Sequence, residues 1–421
     1  MWETLRNAWR VDDLRKKILY TLGMLLIFRI VGVIPAPGVD IQRVYATMGA
    51  NNLPLLDLVN MMTGNAFSQM TIMAMGITPY INSSIIMQLL TIAIPALERM
   101  QKEGEEGRKR IATITRYVTI VLAVVQAIGL VAGLGYIKSG WFNYVLVGVS
   151  MSGGTALAMW IGERINEKGI GNGTSLLIFA GIVNNLFTGF VNGIGSAKSP
   201  TDWLAVIAVL LAAVVMIALV VFVDKGERRI PVQYAKRVVG RKMYGGQSTH
   251  IPMKVNSTGV LPLIFAYSFM AFPGTIIQLI GGTQSGIYTW WTTYMGSYAP
   301  LHLVITGLLI IAFAFFYTSI SFNPQDISKN IQQQGGLIPG IRSGKATVDF
   351  LQRSSTRLTL FAGLFLAILA TIPNLLTMNL RTTTAQVPFA ASSLLIAVSV
   401  ALETTRQMES QLTMRHYKGF L

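Results

Sequence analysis

Residues 203–223 read WLAVIAVLLAAVVMIALVVFV, a stretch with no charge, glycine or proline, bounded by Asp202 and by Asp224-Lys225. A helix rises about 1.5 Å per residue, so such a segment crosses roughly 30 Å of hydrocarbon. Working outward, comparable apolar segments lie at 18–36, 71–93, 113–136, 144–162, 173–195, 257–281, 302–321, 357–377 and 387–405. With 203–223 they make ten spans, so the predicted fold class is an all-α polytopic membrane protein. Composition agrees: 52% of the 421 residues are hydrophobic and 12% are charged, too little charge to cover a water-soluble surface. A weaker segment, 55–68, is interrupted by Asp57, Asn60, Gly64 and Asn65. It is too short and polar to span and is expected to be a re-entrant half-helix, sheltered by protein or water.

Charge sets the expected orientation. One side of the ten-span arrangement receives 29 of the 34 Lys and Arg residues, in the N-terminal tail, loops 94–116, 163–172, 224–256 and 322–356, the start of span nine and the C-terminal tail. The other side holds Arg43, Lys138, Lys198 and Arg381, and Arg29 lies inside span one. Lys and Arg accumulate on the cytoplasmic side, so both termini are expected there, which an even span number permits. The net charge of +16 points to anionic partners such as lipid headgroups, nucleic acid or an acidic protein face. The first seventeen residues are amphipathic rather than an apolar core with a small-residue cleavage site, and no removable signal peptide is expected.

The residues of catalysis are scarce. There is no cysteine, and His250, His302 and His416 lie far apart with no helical pairing, so no metal site is expected. No phosphate-binding glycine loop occurs, because the run from Gly340 to Lys345 has the wrong spacing and ends in Ala346. The acidic residues fall in loops, tails or 55–68, apart from Glu403 at the cytoplasmic end of span ten. A coupled transporter needs a mid-membrane carboxylate, and an intramembrane enzyme needs paired catalytic groups. Neither pattern is present, so the expectation is no enzyme and no cofactor, with energy supplied by a partner. Arg29 is expected to snorkel or to pair with helix-end carbonyls.

Two features remain. Loops 224–256 and 322–356 are long and basic, and the alternation in Ile230-Pro-Val-Gln-Tyr-Ala with glycines at 245–246 predicts a projecting hairpin. Isoleucines also recur beside glycine or proline: Ile77 and Ile81 in span two, Ile178 and Ile182 in span five, Ile264 in span seven, Ile396 in span ten. Each i, i+4 pair shares a helix face, about 6 Å apart along the axis. Taken singly, each of these isoleucines reads as lipid-facing or packing, and periodicity alone does not show that the six converge.

Seven stretches carry a resemblance: GITPYINSSIIMQLL (76–90), KEGEEGRK (102–109), KGIGNGTS (168–175), RRIPVQYAKR (228–237), QSTHIPMKVN (247–256), FNP (322–324) and PGIR (339–342). In this order across ten spans, the chain resembles the SecY family, the central subunits of the bacterial protein-export channel, along essentially its whole length. The resemblance implies two pseudo-symmetric five-helix halves around an hourglass pore, residues 1–195 and 203–421, hinged at the outer loop 196–202. It implies that Ile77, Ile81, Ile178, Ile182, Ile264 and Ile396 form the waist. It further implies a plug within 55–68, carried by Asp57, Leu58, Asn60, Met61, Met62, Gly64 and Asn65.

The same resemblance implies a lateral gate between spans two and three on one side and seven and eight on the other. Ser84, Gln88, Gln126, Phe272 and Gln278 line it, and Pro79 and Pro273 are expected to kink its helices. The basic loops become a docking surface for the ATPase SecA and the ribosome, with its RNA, through Arg228, Arg229, Lys236, Arg237, Arg241, Lys242 and Arg342. The implied partners include SecE and SecG homologues, signal-bearing preproteins and anionic phospholipids. The implied location is the bacterial cytoplasmic membrane.

Overall fold

The computed structural model describes residues 2–40, 42–44, 63–133, 135–138, 140–196, 199–234, 237–239, 242–244, 248–281, 286–296, 299–379 and 391–418. In chain order these form α1 (Trp2–Arg10), α2 (Asp12–Val31), α3 (Thr78–Ala93), α4 (Pro95–Lys102), α5 (Glu105–Gly133), α6 (Trp141–Lys168), α7 (Gly173–Ser196) and α8 (Pro200–Lys225). Four strands follow: β1 (Glu227–Tyr234), β2 (Arg237–Val239), β3 (Lys242–Tyr244) and β4 (Ser248–Lys254). The chain continues with α9 (Leu261–Gly281), α10 (Gly286–Met295), α11 (Pro300–Ser321), α12 (Pro324–Gln333), β5 (Gly336–Leu337), α13 (Lys345–Asn379) and α14 (Ala391–Lys418).

Each of the ten apolar segments falls on a helix, giving an all-α membrane bundle with a small sheet at one end. Among the described residues, α5, α6, α8, α11 and α13 are long and apolar enough to span a bilayer. The pair α3 and α4, bent by 99° at a break of one residue, makes a sixth if it is one span. Lipid contact is legible on α8, where Leu204, Ile207, Leu211 and Val214 are exposed at helical spacing. Large aliphatic side chains left out of the core in this pattern have acyl chains as their solvent.

Two boundaries differ from expectation. Span two was placed at 71–93, but the helix begins only at Thr78, because Pro79 sits in its first turn. Proline at a helix start sacrifices only an N–H that has no intrahelical partner, so Pro79 initiates α3 and does not kink it. Loop 322–356 is shorter than expected, since α13 begins at Lys345 and carries Arg353 and Arg357 on a helical extension. Pro273 does lie inside α9.

Residues 63–77 are irregular yet almost entirely buried, with Phe67, Met70, Met73, Ala74 and Met75 at 2% exposure or less. Irregular backbone at membrane depth must find its partners within the protein. Here the Ala36 amide donates to the Met70 carbonyl at 3.0 Å, and the Ile72 amide to the Ile34 carbonyl at 2.9 Å. Local caps complete the set: the Thr63 hydroxyl accepts from the Phe67 amide at 3.3 Å, and Ser68 donates to the Asn65 carbonyl at 2.9 Å. Gly64 and Asn65 both take positive φ, 66° and 74°, which reverses the chain.

Helix α6 presses directly on this turn. A Cβ placed on Gly154 would sit 2.7 Å from the Ile72 carbonyl carbon, a contact with backbone that no side-chain rotation relieves. Small residues let membrane helices approach this closely. Gly154→Ala is therefore expected to lower stability by about 1–3 kcal/mol, the usual range for overpacking. A thermal melt in detergent checks it, and an unchanged midpoint would mean that α6 moves away from Ile72 freely.

Candidate functional site

The six isoleucines arrive from four helices. Ile77 is the N-cap residue of α3, and Ile81 lies one turn on, its amide donating to the Ile77 carbonyl at 3.1 Å. Ile178 and Ile182 are one turn apart on α7, Ile264 is in the first turn of α9, and Ile396 is near the start of α14. All six are buried, between 1% and 5% exposed, and all belong to one apolar cluster with Phe28, Met73, Leu177, Leu263 and Leu395 among its members. The structure thus brings together residues that sequence periodicity could not connect. β-Branched chains are stiff at χ1 and offer no hydrogen bond, so they pack within this cluster without directional contacts.

Beside this cluster lies its polar neighbour. Arg29, in the last turn of α2, donates to the Gly64 carbonyl at 3.4 Å and also to the Ala180 carbonyl. Asn184 donates its amide to the same Gly64 carbonyl at 3.2 Å. Arg29 was expected to use helix-end carbonyls, but Ala180 lies inside α7, between Ile178 and Ile182, and Gly64 lies in the buried turn. Of the proposed plug residues, Gly64 and Asn65 are in that turn, while Asp57, Leu58, Asn60, Met61 and Met62 lie outside the described residues.

The proposed gate helices are adjacent. Helix α9 packs against both α3 and α5. On one side of this seam, the Ser83 hydroxyl donates to the Thr115 carbonyl at 3.3 Å and ties α3 to α5. On the other, Phe265 meets Phe313 edge to face at 5.9 Å and Tyr317 at 6.3 Å, tying α9 to α11. Ser84 and Gln88 are half-buried on α3 and Gln126 on α5, and the buried Gln88 Oε1 has no hydrogen-bond partner among the described residues. Phe272 and Gln278 lie on α9, where only their backbone is described.

At the bundle's end with the sheet, the predicted hairpin is present: β1 pairs antiparallel with β4, in register Ile230 with Ile251 and Val232 with Thr249. Sequence reasoning missed that the second basic loop joins it, since β5 pairs with β1 through Gln233 with Leu337. Ile230, Val232, Met253, Ile331, Ile338 and Leu351 form one small core beneath the sheet. The only available signal was the apolar pair Leu337-Ile338 after a glycine pair. Arg228, Arg229 and Arg342 are exposed on this unit, with Arg229 also 2.6 Å from Glu227. Arg237 and Lys242 lie on the β2–β3 hairpin, where only their backbone is described, and Lys236 and Arg241 lie outside the described residues. Below the sheet, Arg406 of α14 pairs with the buried Asp224 carboxylate at 2.8 Å. Among the described residues no group of three metal-binding side chains gathers.

A SecY family model matches residues 71–405. The protein translocase subunit SecY of Streptomyces scabiei is 43% identical over the whole of both chains. Among solved structures, a protein conducting channel superposes with a TM-score of 0.68 at 21% identity, covering 94% of this chain and 92% of that one. Sec61 in the canine ribosome-channel complex from the endoplasmic reticulum gives 0.64 at 19% identity, with 94% and 92% covered. A long helical bundle with a buried isoleucine cluster, a buried turn before span two and near-full-length identity of this order leads to one assignment: the chain belongs to the SecY family, the protein-conducting channel subunits of protein translocases.

Proposed function

We propose that this chain passes unfolded secretory polypeptides through a waist made by Ile77, Ile81, Ile178, Ile182, Ile264 and Ile396, and releases apolar segments sideways into lipid. The observation that carries the reading is the burial of all six in one apolar cluster. A narrow apolar ring disfavours a continuous column of water and ions, so it closes by dewetting. When parted, it grips a passing chain by shape alone and favours no particular sequence. The segment 55–68 acts as the plug on the outer side. The halves 1–195 and 203–421 part about the hinge at 196–202.

The sideways exit runs where α9 meets α3 and α5, past Ser84, Gln88, Gln126, Phe272 and Gln278. What supports it is the packing of α9 against those two helices, and an unpartnered Gln88 oxygen that leaves the seam less tightly bonded than an apolar interface of equal area. A signal segment entering lipid through it gains about 0.8 kcal/mol per buried CH₂.

The sheet unit receives the engine. Arg228, Arg229, Lys236, Arg237, Arg241, Lys242 and Arg342 contact SecA or the ribosome and its RNA, a reading supported by the ribosome-bound canine relative. SecE and SecG homologues complete the channel, and anionic phospholipids neutralise the remaining basic surface. The membrane is the bacterial cytoplasmic membrane, with both termini inside the cell.

Three measurements test these assignments. A buried amide without a partner costs about 1–3 kcal/mol, so Ile396→Asn is expected to weaken closure and raise resting ion leak roughly tenfold in planar bilayers. Unchanged conductance and unchanged signal stringency across several polar substitutions would remove the waist. Arg342→Glu, at an exposed position, is expected to leave stability within about 0.5 kcal/mol while cutting ATPase-driven export at least tenfold; full export activity in reconstituted vesicles would remove its docking role. Ribosome binding is expected to fall as salt rises, and Arg228→Ala to reduce the log–log slope by about one. A slope identical to that of the wild type would place Arg228 away from phosphate.

A further inference from the structure

We infer that Arg29 and Asn184 form a polar latch on the Gly64 carbonyl that holds the plug-side turn against the waist helix α7 in the closed channel. The inference rests on the reading of 55–68 as the plug and goes beyond it by naming what keeps that segment seated.

The geometry is specific. The Gly64 carbonyl accepts from two side chains on two helices, Arg29 of α2 at 3.4 Å and Asn184 of α7 at 3.2 Å. A carbonyl has two lone pairs, and both are engaged here. Arg29 also donates to the Ala180 carbonyl, so one guanidinium joins the turn to the stretch of α7 between Ile178 and Ile182. Among the described residues no carboxylate pairs with Arg29. A guanidinium at membrane depth is costly unless it is met by oxygen acceptors, so it anchors whatever backbone supplies them.

The position of Gly64 is shaped to the latch. Its φ of 66° is one that side chains beyond glycine adopt rarely. A Cβ there would lie 2.8 Å from the guanidinium carbon of Arg29, so any other residue would displace it. Displacing the turn therefore breaks the contacts of both donors at once, and exposes a charge that the apolar cluster cannot stabilise. The latch makes plug release an all-or-none step, coupled to movement of the helix that carries two waist isoleucines.

The test uses the full chain with its partner subunits in proteoliposomes, reading ion leak and the transit of a preprotein with a defective signal. Asn184→Ala removes one neutral hydrogen bond between α7 and the turn and is expected to raise leak about threefold. Arg29→Gln removes the charged donor and is expected to raise it roughly tenfold. If Arg29→Gln fails to assemble, Asn184→Ala and Gly64→Ala carry the test, with the same direction expected. Deletion of 55–62 is the reference: in that background neither substitution is expected to add further leak. Leak that rises on deletion but stays at the wild-type level in Arg29→Gln and Asn184→Ala would overturn the latch and leave the plug standing. No rise on deletion would overturn the plug reading and the latch with it. Increases that persist undiminished in the deletion background would mean a general loosening of α7, which also overturns the latch.

Discussion

Backbone amides and carbonyls cannot be left open to hydrocarbon, and the whole molecule is arranged around that constraint. Nearly every residue at membrane depth satisfies it by being helical. Among the described residues an exception is 63–77, a stretch of turns inside the bundle, which satisfies it by borrowing partners from the loop after α2 and from its own Thr and Ser hydroxyls. A helix holds its bonds within itself, so it tolerates sliding past a neighbour. A turn whose bonds reach outward does not. The irregular segment is accordingly a part of the buried bundle whose position is set by other elements, and it ends on Ile77, the N-cap residue of α3.

The extent of the fold that was legible in the sequence follows from the same constraint. Hydropathy reports which segments face lipid, and residues 203–223 announce themselves because α8 exposes a long aliphatic stripe. Alternation likewise announced β1, whose Ile230 and Val232 point into the small core while Pro231 and Gln233 point out. The start of α3 was misplaced because 71–77 are as apolar as a span, although the proline that begins the helix stood in plain view. Hydropathy cannot separate a buried turn from a buried helix.

What stayed hidden depends on pairings far apart in the chain. The Arg29 contacts join positions separated by 35 and 151 residues, and the Asn184 contact by 120. No local period encodes such a bond, so Arg29 reads as an isolated charge and nothing in the sequence singles out Asn184. The convergence of the isoleucines was hidden for a related reason: an aliphatic residue at helical spacing is equally suited to lipid, to packing or to a waist. The burial of all six in one cluster removes the lipid-facing use, and burial is a property of the folded bundle. Strand β5 is two residues long, below the length at which alternation carries information, so its union with β1 was invisible.

The sheet unit and the helix that bears Ile396 are joined by one further contact whose energetics differ from those of the apolar clusters. Asp224 lies in the last turn of α8, just before β1, and its side chain is 7% exposed. Arg406, a third exposed, reaches it from α14, the helix that bears Ile396. Taking a carboxylate out of water is unfavourable, and the ion pair offsets that cost without adding much net stability. Losing the partner is a different matter, because a buried charge then stands alone. Such a pair therefore contributes little to holding the bundle together but strongly resists separation of its two ends. The pair therefore links the entry to the sheet with α14, and Ile396 of the apolar cluster lies about three turns from Arg406 on that same helix. Under the function proposed above, the ring supplies a seal with little directional resistance, and polar contacts such as those of Arg29 and Arg406 set when that seal moves.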